Sequence, residues 1–162
     1  MKPVLFIAAA LAAGHAIAAD KAAAATELHD CVIQEVIPGK NMTGAFLTFV
    51  HKGEAVEIKS GEIPSVTPNV EFHQMVMKGD VMEMSPLENL KVEEGERVFK
   101  KGSDHIMLMQ IPEDKHPKKG ETHTITVHFS DGSQASCEAQ VKTVEEVIEA
   151  AKAAGDHGTH KH

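Results

Sequence analysis

Residues 121–141 read ETHTITVHFSDGSQASCEAQV, and this stretch is the strongest single predictor of the fold. Polar and apolar side chains alternate from Thr122 to Phe129, which is the period of a half-buried β-strand. The SDGS segment at 130–133 is a turn signal, and a second strand-like run follows it. The stretch therefore predicts an antiparallel hairpin close to the end of the folded region.

Short runs of the same kind recur upstream, separated by clusters of turn-forming residues. They are HDCVIQEV (29–36), TGAFLTFVHKG (43–53), AVEIKSGEI (55–63), NVEFHQMVM (69–77), VMEMSPL (81–87) and ERVFKKGSDHIMLMQI (96–111). Many short strands with regular turns predict an all-β fold, a Greek-key β-sandwich or barrel, over residues 28–142.

One helix is predicted at residues 143–155, TVEEVIEAAKAAG. Thr143 and Glu146 have the spacing of a capping box, and Gly155 is a helix stop. The apolar stripe of this helix suits packing on the sandwich, with partner binding as the alternative. Residues 156–162, DHGTHKH, are predicted to form a disordered histidine-containing tail.

The first 19 residues have the features of a secretory signal peptide. Lys2 precedes an apolar run, and Ala16-Ile17-Ala18 is a small-x-small cleavage pattern. A membrane anchor is the alternative, but the apolar run at 4–13 is too short to span a bilayer, and no later segment is long and apolar enough. Residues 20–27 are predicted to be a flexible lead-in. We expect an exported, periplasmic protein.

The charge balance excludes two classes of partner. The chain has 16 Lys and Arg against 24 Asp and Glu, a net charge of −8, and signal removal makes it one unit more negative. Binding to phosphate depends on Lys and Arg. Nucleic acid and anionic lipid are therefore not expected partners.

Two cysteines, Cys31 and Cys137, lie near the two ends of the predicted domain. In an oxidising compartment a distant pair typically forms a structural disulfide. Two separate buried thiols and a pair of thiolate metal ligands remain as alternatives.

Histidine and methionine are concentrated in two segments. In HQMVMKGDVMEMSP (73–86), the strand period places His73, Met75 and Met77 on one face, with Met82 and Met84 sharing a face after the turn. In HIMLM, His105, Met107 and Met109 again share a face. Core packing explains methionine bulk, but it gives no reason for both stripes to begin with histidine.

The spacing of these residues resembles the motif of the PCuAC family of periplasmic copper chaperones, also known as DUF461. That motif is a histidine, ten residues, a methionine, about twenty-one residues, and His-x-Met. Here ten residues separate His73 from Met84, and twenty separate Met84 from His105-x-Met107. A turn within 93–104 can absorb the missing residue. The segments PGKNMTGAFLTF and GDVMEMSPLENLKVEEGE also resemble the family.

The resemblance implies a cupredoxin-like sandwich that binds one Cu(I) through His73, Met84, His105 and Met107. It also implies delivery of copper to an acceptor, such as the CuA centre in subunit II of cytochrome c oxidase or another periplasmic copper chaperone. Further candidate ligands are Met75 and Met82 beside the site, and His157, His160 and His162 in the tail, where Cu(II) would bind.

The chemistry of the residues favours the same metal. Cu(I) accepts thioether and imidazole ligands, whereas Mg(II) and Zn(II) make little use of methionine. Thioethers also form no disulfides, so such a site survives an oxidising compartment. An enzyme is not expected, because there is no GxSxG or HExxH motif. A structural or adhesion β-sandwich with a methionine-filled core is the alternative.

Overall fold

The computed structural model describes residues 25–156 of the 162-residue chain. Ten β-strands and one α-helix lie within them, and a short 3-10 helix spans Glu113–Lys115. The elements are β1 (Thr26–Gln34), β2 (Thr43–His51), β3 (Val56–Glu62), β4 (Asn69–Lys78), β5 (Val81–Pro86), β6 (Lys91–Val92), β7 (Gly95–Phe99), β8 (His105–Met109), β9 (Thr122–Phe129), β10 (Gln134–Lys142) and α1 (Val144–Asp156).

The all-β prediction with one C-terminal helix is confirmed. The strands form a continuous path in the order β5-β4-β8-β2-β1-β10-β9-β3-β6, and β7 pairs with β2 beside it. Most pairs are antiparallel, whereas β1 and β10 run parallel. Strands β4 and β5, which contain the His/Met segment 73–86, are therefore at one end of this path. They lie next to β8, which contains the second His/Met segment, 105–109.

The two ends of the sheet pack against each other at Gly61 in β3. A Cβ atom at Gly61 would lie 2.9 Å from a methyl group of Val70 and 3.1 Å from the Phe72 ring, and both residues belong to β4. Since β3 and β4 are far apart in the strand order, the sheet curls into a sandwich around one core. Only glycine allows this close approach.

The hydrophobic core collects alternate side chains from strands across the sheet. Leu47 and Phe49 of β2, Ile58 of β3, Ile106 of β8 and Ile125 of β9 are almost fully buried in one cluster. The ring of Phe49 packs edge-to-face with two other phenylalanines, at 5.0 and 6.3 Å between centroids. The period-2 alternation read from the sequence thus separates a core face from an outer face in β9, in the first half of β3 and at the start of β4, where Val70 and Phe72 pack against the core.

Both predicted hairpin turns are present. The β9–β10 hairpin follows the SDGS turn, with Ala135 opposite Val127. The β4–β5 hairpin closes at Lys78 opposite Val81, and Gly79 takes a φ of +65° in the two-residue turn. Because glycine adopts a positive φ readily, the chain can reverse in two residues. The length of this turn fixes the register of the flanking methionines.

Strand β1 starts earlier than the predicted domain boundary at residue 28. Thr26 is buried, and its hydroxyl lies 2.8 Å from Nδ1 of His51, so the last two residues of the predicted lead-in 20–27 are in the sheet. A register shift between His29 and Val32, with Asp30 at φ +53°, interrupts the strand. It returns Cys31 to the core face, where Cys31 and Cys137 form a disulfide.

Helix α1 begins as a capping box. The Thr143 backbone N–H donates to the Glu146 carboxylate at 2.9 Å, and the Glu146 N–H donates to the Thr143 hydroxyl at 3.2 Å. Val147 is buried, so the apolar stripe packs on the domain, and the helix runs one residue past Gly155. No helix among residues 25–156 is long and apolar enough to cross a membrane. The predicted signal peptide 1–19 and residues 157–162 of the predicted tail lie outside the described residues.

Candidate metal centre

The two His/Met segments meet on the outer face of three adjacent strands, β5, β4 and β8. His73 lies directly opposite His105, and Met75 lies directly opposite Met84. Residues that face each other across antiparallel strands share a face of the sheet. The neighbouring pair of Phe72 and Ile106 points the other way, into the core.

Met84 reaches across β4 to contact His105. Its Sδ lies 3.2 Å from Nε2 of His105, although one whole strand separates β5 from β8. Two strand spacings amount to about 9.5 Å, and the long side chain of methionine covers that gap together with the imidazole. The contact joins two residues separated by 21 positions in the chain.

The tautomer of His105 leaves Nε2 with a lone pair. Nδ1 lies 2.8 Å from the carbonyl oxygen of Ser103, which only accepts, so Nδ1 donates. Burial lowers the pKa of His105, partly offset by the Ser103 hydrogen bond, and His73 lowers it further. The neutral imidazole therefore turns a lone pair toward the thioether sulfur, which is itself a weak acceptor.

Two lone-pair atoms at this distance suit a shared metal ion. In protein metal sites, nitrogen and sulfur lie about 2.0 and 2.3 Å from a metal such as zinc. Two such atoms bound to one ion at angles between about 90° and 109° are separated by about 3.0–3.5 Å. The 3.2 Å between Nε2 of His105 and Sδ of Met84 falls within this range.

His73 presents a second nitrogen without a hydrogen-bond partner. Its Nε2 donates to the Glu71 carboxylate at 2.8 Å, which leaves the lone pair on Nδ1. Nδ1 is buried and has no hydrogen-bond partner among the described residues. The ring centroids of His73 and His105 are 6.1 Å apart. Both imidazoles thus have one N–H fixed by an oxygen and one nitrogen free, the usual arrangement of histidines that bind metals.

Met107 lies on the same face as His105, two residues further along β8, and is 6% exposed. Its strand neighbours are Glu71 on one side and Gly44 on the other. The Phe46 ring covers Gly44, with the ring atom Cζ 3.0 Å from the position of a Cβ, and its centroid is 6.5 Å from that of His105. The β8 side of the site is therefore enclosed, whereas Met84 on β5 is 52% exposed.

The other predicted ligands have different positions. Met75 is half-buried opposite Met84. Met82 is opposite Met77, two residues nearer the hairpin turn, and is 46% exposed. His157, His160 and His162 lie outside the described residues.

Three residues beside the site were not identified from the sequence: Glu71, Ser103 and Phe46. Glu71 and Ser103 each lie two positions before a site histidine, which is the same-face spacing of a strand for Glu71. That spacing was the available signal for Glu71. Ser103 acts through its backbone and Phe46 through its packing, so their roles depend on the fold.

Among residues 25–156, no group of three His, Cys, Asp or Glu side chains could hold a metal ion. Some histidines elsewhere have structural partners, such as His51, which contacts the Thr26 hydroxyl and the Glu54 carbonyl. The side chain that touches the His105 imidazole is the thioether of Met84, and thioether ligands select soft ions.

The fold and the site together define a class: a curled β-sandwich with an imidazole–thioether cluster on its outer face. The chain belongs to the LpqE-like family, described as "Putative lipoprotein LpqE-like", whose model matches residues 26–141. No curated protein matches the sequence significantly.

Solved structures of similar fold include PCuAC domains. The structure described as Cu(I)-DR1885 from Deinococcus radiodurans has a TM-score of 0.58 at 23% identity, covering 77% of this chain and 83% of that one. The apo PCuAC domain of PmoF1 has a TM-score of 0.56 at 9% identity, covering 72% and 92%. The copper-bound PCuAC domain of PmoF2 has a TM-score of 0.55 at 13% identity, covering 72% and 91%. These likenesses establish the PCuAC-type fold predicted from the spaced motif.

Proposed function

We propose that this protein is a periplasmic copper chaperone that carries one Cu(I) ion on His73, Met84, His105 and Met107. The observation that carries the proposal is the 3.2 Å approach of Nε2 of His105 to Sδ of Met84, where two lone pairs face each other. A monovalent soft cation between them turns an unfavourable contact into two bonds. The copper-bound forms of two proteins with the same fold support this choice of metal.

The asymmetric exposure of the site suits a carrier. His105 and Met107 are 5% and 6% exposed and lie on a strand inside the sheet, whereas Met84 is half exposed on the end strand. An acceptor can therefore approach the ion from the Met84 side. All four ligands are neutral, which favours moderate affinity and transfer of Cu(I). The recipient we propose is a copper-accepting protein, such as the CuA centre of cytochrome c oxidase or another periplasmic chaperone.

The protein is not proposed to be an enzyme. Redox turnover at a blue-copper site uses a cysteine thiolate with histidines. Both cysteines of this chain are joined to each other, so neither supplies a thiolate beside the methionine cluster. The chemistry of the site is limited to binding and releasing the ion.

A structural sandwich with a methionine-filled core fits the exposures less well. Met77, Met82 and Met84 are 63%, 46% and 52% exposed, so they contribute little to the core. The core consists mainly of Ile, Leu, Val and Phe. Core packing therefore does not explain the exposed methionines, whereas copper binding does.

The test is an anaerobic titration of the exported protein with Cu(I) against a competing chelator, followed by X-ray absorption on the one-equivalent sample. We expect one tight equivalent with two nitrogen and two sulfur neighbours. Oxygen-only coordination, or no equivalent that competes with the chelator, would contradict the proposal.

Truncation after Gly155 is expected to reduce Cu(II) uptake by the tail histidines and leave the Cu(I) equivalent intact.

A further inference from the structure

Three methionines continue the ligand face from the His/Met site toward the tip of the β4–β5 hairpin. Met77 lies directly opposite Met82, and Met75 lies beside them, opposite Met84. Side chains in directly opposed positions have Cβ atoms about 4.5–5.5 Å apart. Long, flexible thioethers at that spacing can bring their sulfur atoms to a common point.

Packing does not explain the outer pair. Met77 is 63% exposed and Met82 is 46% exposed. Single exposed apolar residues are ordinary on protein surfaces. Here, however, two exposed methionines form one cross-strand pair, next to a second methionine pair that touches the His105 imidazole. The arrangement is a ladder of four sulfur atoms on one face.

We propose that Met75, Met77 and Met82 form a second, weaker site for Cu(I), between the His/Met site and the hairpin tip. The choice of metal rests on the proposed function, whereas the grouping of the three sulfurs rests on the strand register. Three neutral thioethers suit a soft monovalent ion and are poor ligands for Mg(II) or Ca(II). Without imidazole the site binds more weakly than the first.

The two sites are close enough to share an ion in transit. Adjacent methionine pairs on this hairpin are two residues apart along each strand, which is about 6.7 Å. Met75 belongs to the inner pair and faces Met84, so it lies between the outer methionines and the His105 nitrogen. An ion that enters at the exposed Met77 and Met82 therefore has sulfur within reach at each step.

The test is a Cu(I) titration of protein labelled with ¹³C at the methionine methyl groups. We expect the first equivalent to shift the Met84 and Met107 signals and a second to shift Met75, Met77 and Met82. Met42 and Met109 serve as internal controls. In Met77→Leu/Met82→Leu, the second equivalent should weaken at least about tenfold, while the first keeps its affinity within about twofold.

The inference and the proposed function fail in different ways. If Met77 and Met82 do not shift after the first equivalent is bound, or if the double variant keeps the second equivalent, the outer site does not exist. If the first equivalent leaves the Met84 and Met107 signals unshifted, the proposed function itself fails. Repeating the titration with Ag(I), which has no accessible redox chemistry here, should give the same order of shifts; an order that differs from that of Cu(I) would overturn the two-site scheme.

Discussion

The β4–β5 and β9–β10 hairpins have the same architecture and opposite surface chemistry. On the outer face of β9–β10, the Thr124 hydroxyl donates to Glu138 at 2.6 Å, and the Thr126 and Ser136 hydroxyls are 2.8 Å apart. The corresponding positions of β4–β5 are methionine opposite methionine. The β9–β10 hairpin has hydrogen-bonding side chains at its exposed cross-strand positions, as expected where only stability and solubility matter. The methionine pairs of the β4–β5 hairpin have no such role, and the proposed copper binding accounts for them.

The largest effect on stability is expected at the hairpin without methionine. Cys137 of β10 is joined to Cys31 of β1 across a sequence separation of 106 residues. In the chain-entropy model, a link of that length stabilises the fold by about 4–5 kcal/mol. Cys31→Ala/Cys137→Ala should lose most of that amount in urea unfolding, with reduced wild-type protein as the comparison. A loss under about 1 kcal/mol would show that the disulfide is dispensable.

Substitution of the two proposed sulfur ligands should weaken Cu(I) binding and leave the stability of the fold nearly unchanged. Met84→Leu/Met107→Leu removes both proposed sulfur ligands while nearly conserving side-chain volume. The free energy of unfolding should therefore change by less than about 1.5 kcal/mol per site. Cu(I) affinity should drop about 100-fold or more in the chelator competition. Met109→Leu, on the same face of β8 but opposite Asn69, is the matched control and should bind normally. Equal losses in both variants would contradict the assignment.

A smaller effect is expected from the carboxylate that holds His73. The Glu71 carboxylate accepts a hydrogen bond from Nε2–H of His73 at 2.8 Å and so keeps the lone pair on Nδ1. Removing an oxygen partner of this kind from a ligating histidine costs about 10–100-fold in metal affinity. Glu71→Gln should lie near the lower end, because the amide oxygen still accepts. Glu121→Gln, which alters the similar contact to His123, should leave Cu(I) affinity unchanged.

The smallest effect is expected at helix α1, which follows β10. Thr143→Ala removes the cap on the Glu146 N–H and should cost about 1 kcal/mol in urea unfolding, with no change in Cu(I) affinity. The hydrogen bond from the Thr143 N–H lowers the pKa of Glu146. That contribution is present above the ordinary pKa near 4.5 and is lost as pH falls through the lowered value. Alanine at position 143 keeps this backbone N–H, so acidification through that range should destabilise wild type and variant by similar amounts.

Local sequence patterns were sufficient to predict much of the fold and part of the candidate site. The alternation in β4 and β9 follows from the two-residue period of a strand, and the turns at 78–81 and 130–133 follow from glycine and aspartate. The parallel pairing of β1 with β10 and the placement of β4 beside β8 depend on contacts between distant segments. No local period encodes those neighbours. The spaced motif grouped His73, Met84 and His105, whereas the partners that fix each imidazole required the three-dimensional structure.

The position of the ligand strands within the sheet has a mechanical consequence. Strand β8 has neighbours on both sides, and a main-chain oxygen restrains the ring of His105. Strand β5 has β4 on one side and no further strand of the sheet among residues 25–156 on the other. The β8 half of the cluster is therefore held in place on both sides, whereas the β5 half is held on one side only. An outward swing of the Met84 thioether is enough to open the cluster, so an ion bound as proposed can leave without any rearrangement of the core.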